Sequence, residues 1–205
     1  MIVEMRTYQL RPGTVPQFEE RFGEKLPLRQ KFSPLAALWH TEVGPLNTVI
    51  HMWPYDSFEE RMRIREAAIK SGSWPANTSE FIVSMQSEIL IPAPFSPPLE
   101  PRALGGLYEI RQYTMVAGGI PGMIERWSAK IAERVKLSPL VGAFHSELGA
   151  LNKWVHIWAY KDAGERQRIR AEAVAKGVWP PGSPPGQMVK MENWLVVPAA
   201  CSPLK

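Results

Sequence analysis

The chain is written twice. Glu4-Met5-Arg6-Thr7-Tyr8 returns as Glu109-Ile110-Arg111-Gln112-Tyr113, 105 residues later, and the same offset carries Ser33-Pro34-Leu35 to Ser138-Pro139-Leu140. Asn47, His51, Trp53 and Tyr55 map onto Asn152, His156, Trp158 and Tyr160, and Trp74-Pro75 onto Trp179-Pro180. After one inserted residue, Met85 through Pro92 maps onto Met191 through Pro198 at an offset of 106. A period this long exceeds the roughly 20 to 50 residues of solenoids and propellers. The unit of duplication is therefore a whole small domain, and two such domains are expected to face each other.

With 205 residues, 45% of them hydrophobic, the chain has material for two small cores. The Pro-rich stretch from Pro92 to Pro101 removes backbone donors and fixes φ, as suits an extended spacer. The expected division is residues 1–92 for the first repeat, 93–106 for the linker and 107–205 for the second repeat. The formal charge of +4 comes without any run of like charge, which argues against a nucleic-acid-binding arm. A single cysteine, Cys201, rules out an intrachain disulfide. No apolar run approaches the roughly 18 residues of a membrane span, and no export signal opens the chain, so a cytoplasmic protein without a membrane partner is expected.

Each copy reads as strand, helix, hairpin, helix, strand. Ile2 to Leu10 alternates as a strand, and Val15, Phe18, Phe22 and Leu26 recur at helical spacing. Pro27 is expected to kink or end that helix, whereas Ala132 at the matching place in copy two lets it continue. Ala36 to Val43 and Asn47 to Tyr55 read as a hairpin around Gly44-Pro45. Ser57 with Glu60, and Asp162 with Glu165, have capping-box spacing and start a second helix. Met85 to Ile91 and Met191 to Val197 close the copies as strands. The order βαββαβ is the ferredoxin-like unit of the α+β class, a four-stranded antiparallel sheet with helices on one face. Two tandem units with their sheets face to face are expected to form one intramolecular two-sheet barrel, helices outside and a cavity or packed core between the sheets.

All four histidines fall at two matched positions, His40 with His145 and His51 with His156. Strand alternation groups Val49, His51, Trp53 and Tyr55 on one face, and Thr48, Ile50 and Met52 on the other. The aliphatic set is expected under the helices, which leaves the His/Trp/Tyr set for the space between the sheets. Glu4, Arg6 and Tyr8 share a face in the same way, as a polar inter-sheet pocket or as a buried pair that fixes how the copies dock. A two-histidine, one-carboxylate metal site from His40, Glu42 and His51, or His145, Glu147 and His156, requires a hairpin register that sets His40 opposite His51. Arg61, Arg63 and Arg65, repeated as Arg166, Arg168 and Arg170, read as a solvated helix face on which only Arg61 with Arg65 and Arg166 with Arg170 are neighbours.

The segment from Trp39 to Tyr55, followed by Ser57 and Arg61, resembles the core signature of the NIPSNAP family, as does Glu4-Met5-Arg6-Thr7-Tyr8. Copy two keeps Glu147, Gly149, Asn152, His156, Trp158, Tyr160 and Arg166 but has Phe144 and Ala150 in place of Trp39 and Pro45. The resemblance implies the dimeric α+β barrel superfamily, which includes cofactor-free monooxygenases, haem-handling enzymes and lactone isomerases. The family itself has no agreed reaction.

The expected function is binding of a small organic molecule in the inter-sheet cavity, with cofactor-independent oxygenase or isomerase-type chemistry as an extension. Arg6, Tyr8, Trp53, Arg111, Tyr113 and Trp158 would line the cavity, with His51 and His156 as proton donors or acceptors. No cofactor is required by the sequence. The rival is a non-catalytic interaction module with a filled barrel, and further pairing of whole chains is compatible with either reading. RNA binding needs an open sheet face and ranks last.

Overall fold

A computed structural model describes residues 1–205. Copy one consists of β1 (Ile2–Leu10), α1 (Val15–Arg29), β2 (Ala37–Val43), β3 (Thr48–Tyr55), α2 (Phe58–Lys70) and β4 (Ile82–Pro92). Copy two consists of β5 (Leu107–Met115), α3 (Gly119–Ser128), α4 (Ile131–Arg134), β6 (Leu140–Leu148), β7 (Lys153–Tyr160), α5 (Ala163–Ala175) and β8 (Met188–Pro198). The strands close in the order β1-β3-β2-β8-β5-β7-β6-β4, every pairing antiparallel. Each copy contributes one four-stranded sheet, and the β2–β8 and β4–β6 pairings weld the two into one barrel with no free edge. No helix is long and apolar enough to cross a membrane.

The elements start where their chemistry dictates. Ser57 Oγ accepts from Glu60 N at 3.1 Å while the Glu60 carboxylate reaches back to Asp56 N at 2.6 Å, and Asp162 and Glu165 repeat the arrangement. These reciprocal bonds satisfy donors that a helix start leaves free. The hairpins turn through Asn47 and Asn152, both in the left-handed region at φ 54° and 56°. Asparagine tolerates that region better than most residues, and Asn47 Oδ1 also accepts from Gly13 N. The first helices reverse the proline argument. α1 runs through Pro27, which lies in its last turn, whereas the copy-two helix breaks between α3 and α4 at Ala129 and Lys130. Lys130 Nζ at that break donates to Gly177 O.

The facing expected from the strand alternation is inverted. Val3, Met5, Trp39, Ile50 and Met52 pack with Tyr108, Ile110, Val155 and Ile157 in a single core drawn from both copies, so the aliphatic set fills the barrel interior. Val49, Trp53 and Tyr55 instead pack against Phe18, Phe22 and Leu26 of α1 and Ile64 of α2. Trp154, Trp158 and Tyr160 do the same with Met123, Trp127 and Ile169. Both sheet faces are buried, one by helices and one by the other copy, so alternation sorts the residues into two sets without saying which set points inward. The spacer also crosses over: Phe95 stacks on Trp127 of copy two at 6.1 Å, and residues 102–104 hydrogen-bond to the C-terminal residues 203–205.

Candidate functional site

Glu4, Arg6 and Tyr8 alternate with the interior residues Val3 and Met5, so they point outward, toward α1 and α2. The Glu4 side chain is fully buried. Its Oε1 accepts from Arg6 at 2.7 Å, from Arg61 of α2 at 2.5 Å and from Ser87 Oγ of β4 at 2.7 Å, and its Oε2 lies 3.9 Å from Arg65. Burial alone would raise its pKa, but the hydrogen bonds of Arg61 and Ser87 and the charges of Arg6 and Arg65 outweigh burial and hold it at about 2. Arg6 Nε also donates to Tyr8 Oη at 2.6 Å. The buried pair thus locks α2 onto its own sheet; it does not fix how the copies dock. Three guanidinium groups meet one carboxylate, and the cluster retains positive charge.

His51 lies beside this cluster, 2% exposed, its ring edge-on to Tyr8 and Phe22. Trp53 Nε1 donates to His51 Nδ1 at 2.7 Å. An indole N–H is only a donor, so Nδ1 accepts and the imidazole proton sits on Nε2. Nε2 is buried and has no partner in the protein. Burial, aided by the charge of Arg6, lowers the His51 pKa to about 3. At neutral pH the ring is therefore a neutral hydrogen-bond donor. Trp53 is itself clamped by Arg29, whose Cζ stands 4.4 Å from the ring centre and whose nitrogens reach Ser33 Oγ at 2.8 Å and Tyr55 Oη at 3.1 Å.

Copy two rebuilds the same lattice. Glu109 is bound by Arg111 at 2.7 Å, Arg166 at 2.6 Å and Asn193 at 3.0 Å, Arg111 reaches Tyr113 at 2.6 Å, and Trp158 Nε1 donates to His156 Nδ1 at 2.8 Å. Glu109 is again held at about 2, its burial outweighed by Arg166 and its fellow arginines, and burial again pushes His156 well below its usual value. Each lattice borders a cavity between sheet and helices. The copy-one cavity, about 370 Å³, is lined by Arg6, Tyr8, Phe22, Arg65, Trp74 and Met85 among others. The copy-two cavity, about 220 Å³, touches Arg111, Tyr113, His156, Trp158, Arg170 and Trp179. Of the expected lining residues, Arg6 and Tyr8 border the copy-one cavity and Arg111, Tyr113, His156 and Trp158 the copy-two cavity, both under the helices and not between the sheets. His51 and Trp53 are buried beside the copy-one cavity without lining it.

The metal constellation is not brought together. Leu38 lies opposite His51 and His40 opposite Val49, two residues away from the required register. His40 Nδ1 pairs with Glu19 of α1 at 2.6 Å, and Glu42 is exposed. Copy two has the same register, Ala143 opposite His156, with Glu147 exposed and Ile124 where copy one has Glu19. The solvated reading of the second helix holds for Arg63 and fails for Arg61 and Arg65, which reach Glu4. Their four-residue spacing beside Ile64 and Ala68, an apolar stripe on the same helix, was the sequence signal for a buried carboxylate partner. Arg29 and Arg134 carry no such signal.

The family model described as NIPSNAP matches residues 3–97 and again 108–203. The chain belongs to the NIPSNAP family. Human Protein NipSnap homolog 3A is 31% identical over 98% of this chain and 85% of its own length. The Dictyostelium discoideum Protein NipSnap homolog is 42% identical over 43% of this chain and 41% of its own. A crystal structure from Fusobacterium nucleatum, of a protein provisionally assigned as a monooxygenase, superposes with a TM-score of 0.66 over 97% of this NIPSNAP chain and 92% of that one. At 6% identity that likeness shows the fold alone.

Proposed function

We propose that each copy holds a small organic anion with an apolar or aromatic body in the cavity between its sheet and its helices. The observation that carries this reading is the excess of guanidinium over carboxylate around Glu4 and Glu109, at the wall of cavities that aromatic rings and aliphatic side chains also face. A carboxylate satisfies that charge, and the rings receive the rest of the ligand. His156, at the wall of the copy-two cavity, acts as a donor through Nε2, and not as a proton acceptor near neutrality; His51, buried beside the copy-one cavity, holds the same tautomer. A donor of this kind beside an arginine stabilises negative charge developing on an enolisable ligand, which suits isomerase-type or cofactor-independent oxygenase chemistry. The packed middle of the barrel favours a second reading, a non-catalytic interaction module.

The readings part at ligand binding. Tryptophan fluorescence is titrated with a panel of aryl and alkyl carboxylates and with their neutral amides. The expected result is saturable binding of carboxylates only, weakened about ten-fold or more in Arg65→Gln/Arg170→Gln. Equal binding of acids and amides overturns the anion assignment, and no saturable binding across the panel supports the interaction module.

A further inference from the structure

A third cavity, about 390 Å³, lies at one end of the barrel interior, where the inward faces of both sheets turn from apolar to polar. This volume falls within the range of small-molecule sites, about 300 to 1,000 Å³. We propose that it is a binding site, shared by the two copies, for an uncharged polyhydroxylated ring of the pyranose class.

The charge distribution selects a neutral ligand. Lys153 Nζ of copy two reaches both carboxylate oxygens of Glu88 of copy one, at 2.9 and 2.8 Å, and Lys190 at the rim pairs with Glu192 at 3.0 Å. Every charge at the wall therefore has its counter-charge, unlike the arginine-rich cavities under the helices. Hydrogen-bonding capacity is left on the amides. Gln9 is engaged with Leu46 O and with Thr48, whereas Gln86 and Gln112, the latter only 7% exposed, line the cavity with no side-chain hydrogen bond to the protein. An amide offers donors and an acceptor together, which matches hydroxyl groups.

The duplication also broke its symmetry here. Glu88 of copy one corresponds to Trp194 of copy two, so one wall is an ion pair and the facing wall an indole. Gly44, at φ +129°, lets the hairpin close over that indole, since a Cβ there would lie 3.2 Å from the ring. A pyranose has C–H faces that stack on an indole and a rim of hydroxyls that reach amides. A zwitterionic amino acid would find no free charge to pair with.

Saturation-transfer NMR of the intact chain with methyl β-glucoside, methyl β-galactoside and N-acetylglucosamine tests the assignment. At least one sugar should show saturable transfer, weakened about ten-fold or more by Gln112→Leu and by Trp194→Glu. Arg65→Gln should leave that transfer unchanged, because it lies in the copy-one cavity under the helices. Near-UV circular dichroism reports whether each variant folds, and Gln86→Leu replaces either one that does not. The proposal is overturned if none of the three sugars shows transfer, if folded lumen variants retain it, if Arg65→Gln removes it, or if glycine or serine competes equally. Failure of the carboxylate titrations leaves this result untouched, since the two sites share no residue.

Discussion

The two copies have the same polar lattice and different walls. From Glu4, Arg6, Arg61 and His51 to Glu109, Arg111, Arg166 and His156, matched hydrogen bonds agree to within about 0.1 Å. Around them Phe22 becomes Trp127 and Phe18 becomes Met123, and the cavity shrinks from about 370 to about 220 Å³, while within the lattice Asn193 replaces Ser87 as a donor to the carboxylate. A fully buried carboxylate tolerates little change in its partners, because losing one leaves a charge unpaired in a medium that screens poorly. Apolar walls can exchange one ring for another at modest cost. The lattice is thus the constant framework of the fold, and the walls are where the copies differ in what they admit.

The largest test of this equivalence is acid. Buried neutral histidines have folded pKa values below the unfolded value of about 6.5, so the unfolded chain takes up protons first and stability falls as pH drops below that value. While both His51 and His156 stay neutral in the folded state, the loss is about 2.7 kcal/mol per pH unit. Below about pH 4.5 the loss of stability steepens as Glu4 and Glu109, held at about 2 when folded, add their share. His40, raised by its hydrogen bond to Glu19, opposes the trend, since its contribution is present below pH 6.5 and lost as pH rises through its folded value. Urea unfolding at pH 7, 6 and 5 should show the slope, and His51→Gln should remove about half of it. An unchanged slope in His51→Gln would mean that the copies do not titrate alike.

Next in size are Glu4→Gln and Glu109→Gln. Each leaves two close guanidinium groups without their carboxylate and should cost about 3 to 5 kcal/mol in urea unfolding. Near-equal costs uphold the shared framework, and a cost below about 1 kcal/mol in one copy breaks it. The smallest effect is at the walls. Trp127→Phe installs the copy-one residue in copy two and should cost only about 1 to 2 kcal/mol while enlarging the smaller cavity. The carboxylate panel should then fill two sites of similar affinity, where the wild type shows two distinct ones. No change in the isotherm would mean that Trp127 does not set selectivity.

Much of this was legible in the chain. The 105-residue offset, the capping pairs at Ser57 and Asp162 and the alternation on the strands gave the elements and the barrel, because all three are local or periodic signals. The grouping of Glu4 with Arg6 and Tyr8, and of His51 with Trp53, was legible for the same reason. Their facing was not, since a strand buried on both sides has no polar side to mark. The partnership of Glu4 with Arg61 was also out of reach, because it joins residues 57 positions apart on different elements.

By itself, then, the sequence determined the duplication, the βαββαβ order and which side chains travel together on each strand, since these follow from backbone periodicity and local capping chemistry. Only the tertiary structure decided that the aromatic and charged sets lie under the helices, that His51 and His156 give up their Nδ1 acceptors to Trp53 and Trp158, and that His40 turns to Glu19. The physical reason is that burial and charge pairing depend on which surfaces meet in three dimensions, and in a closed barrel every sheet face meets another surface.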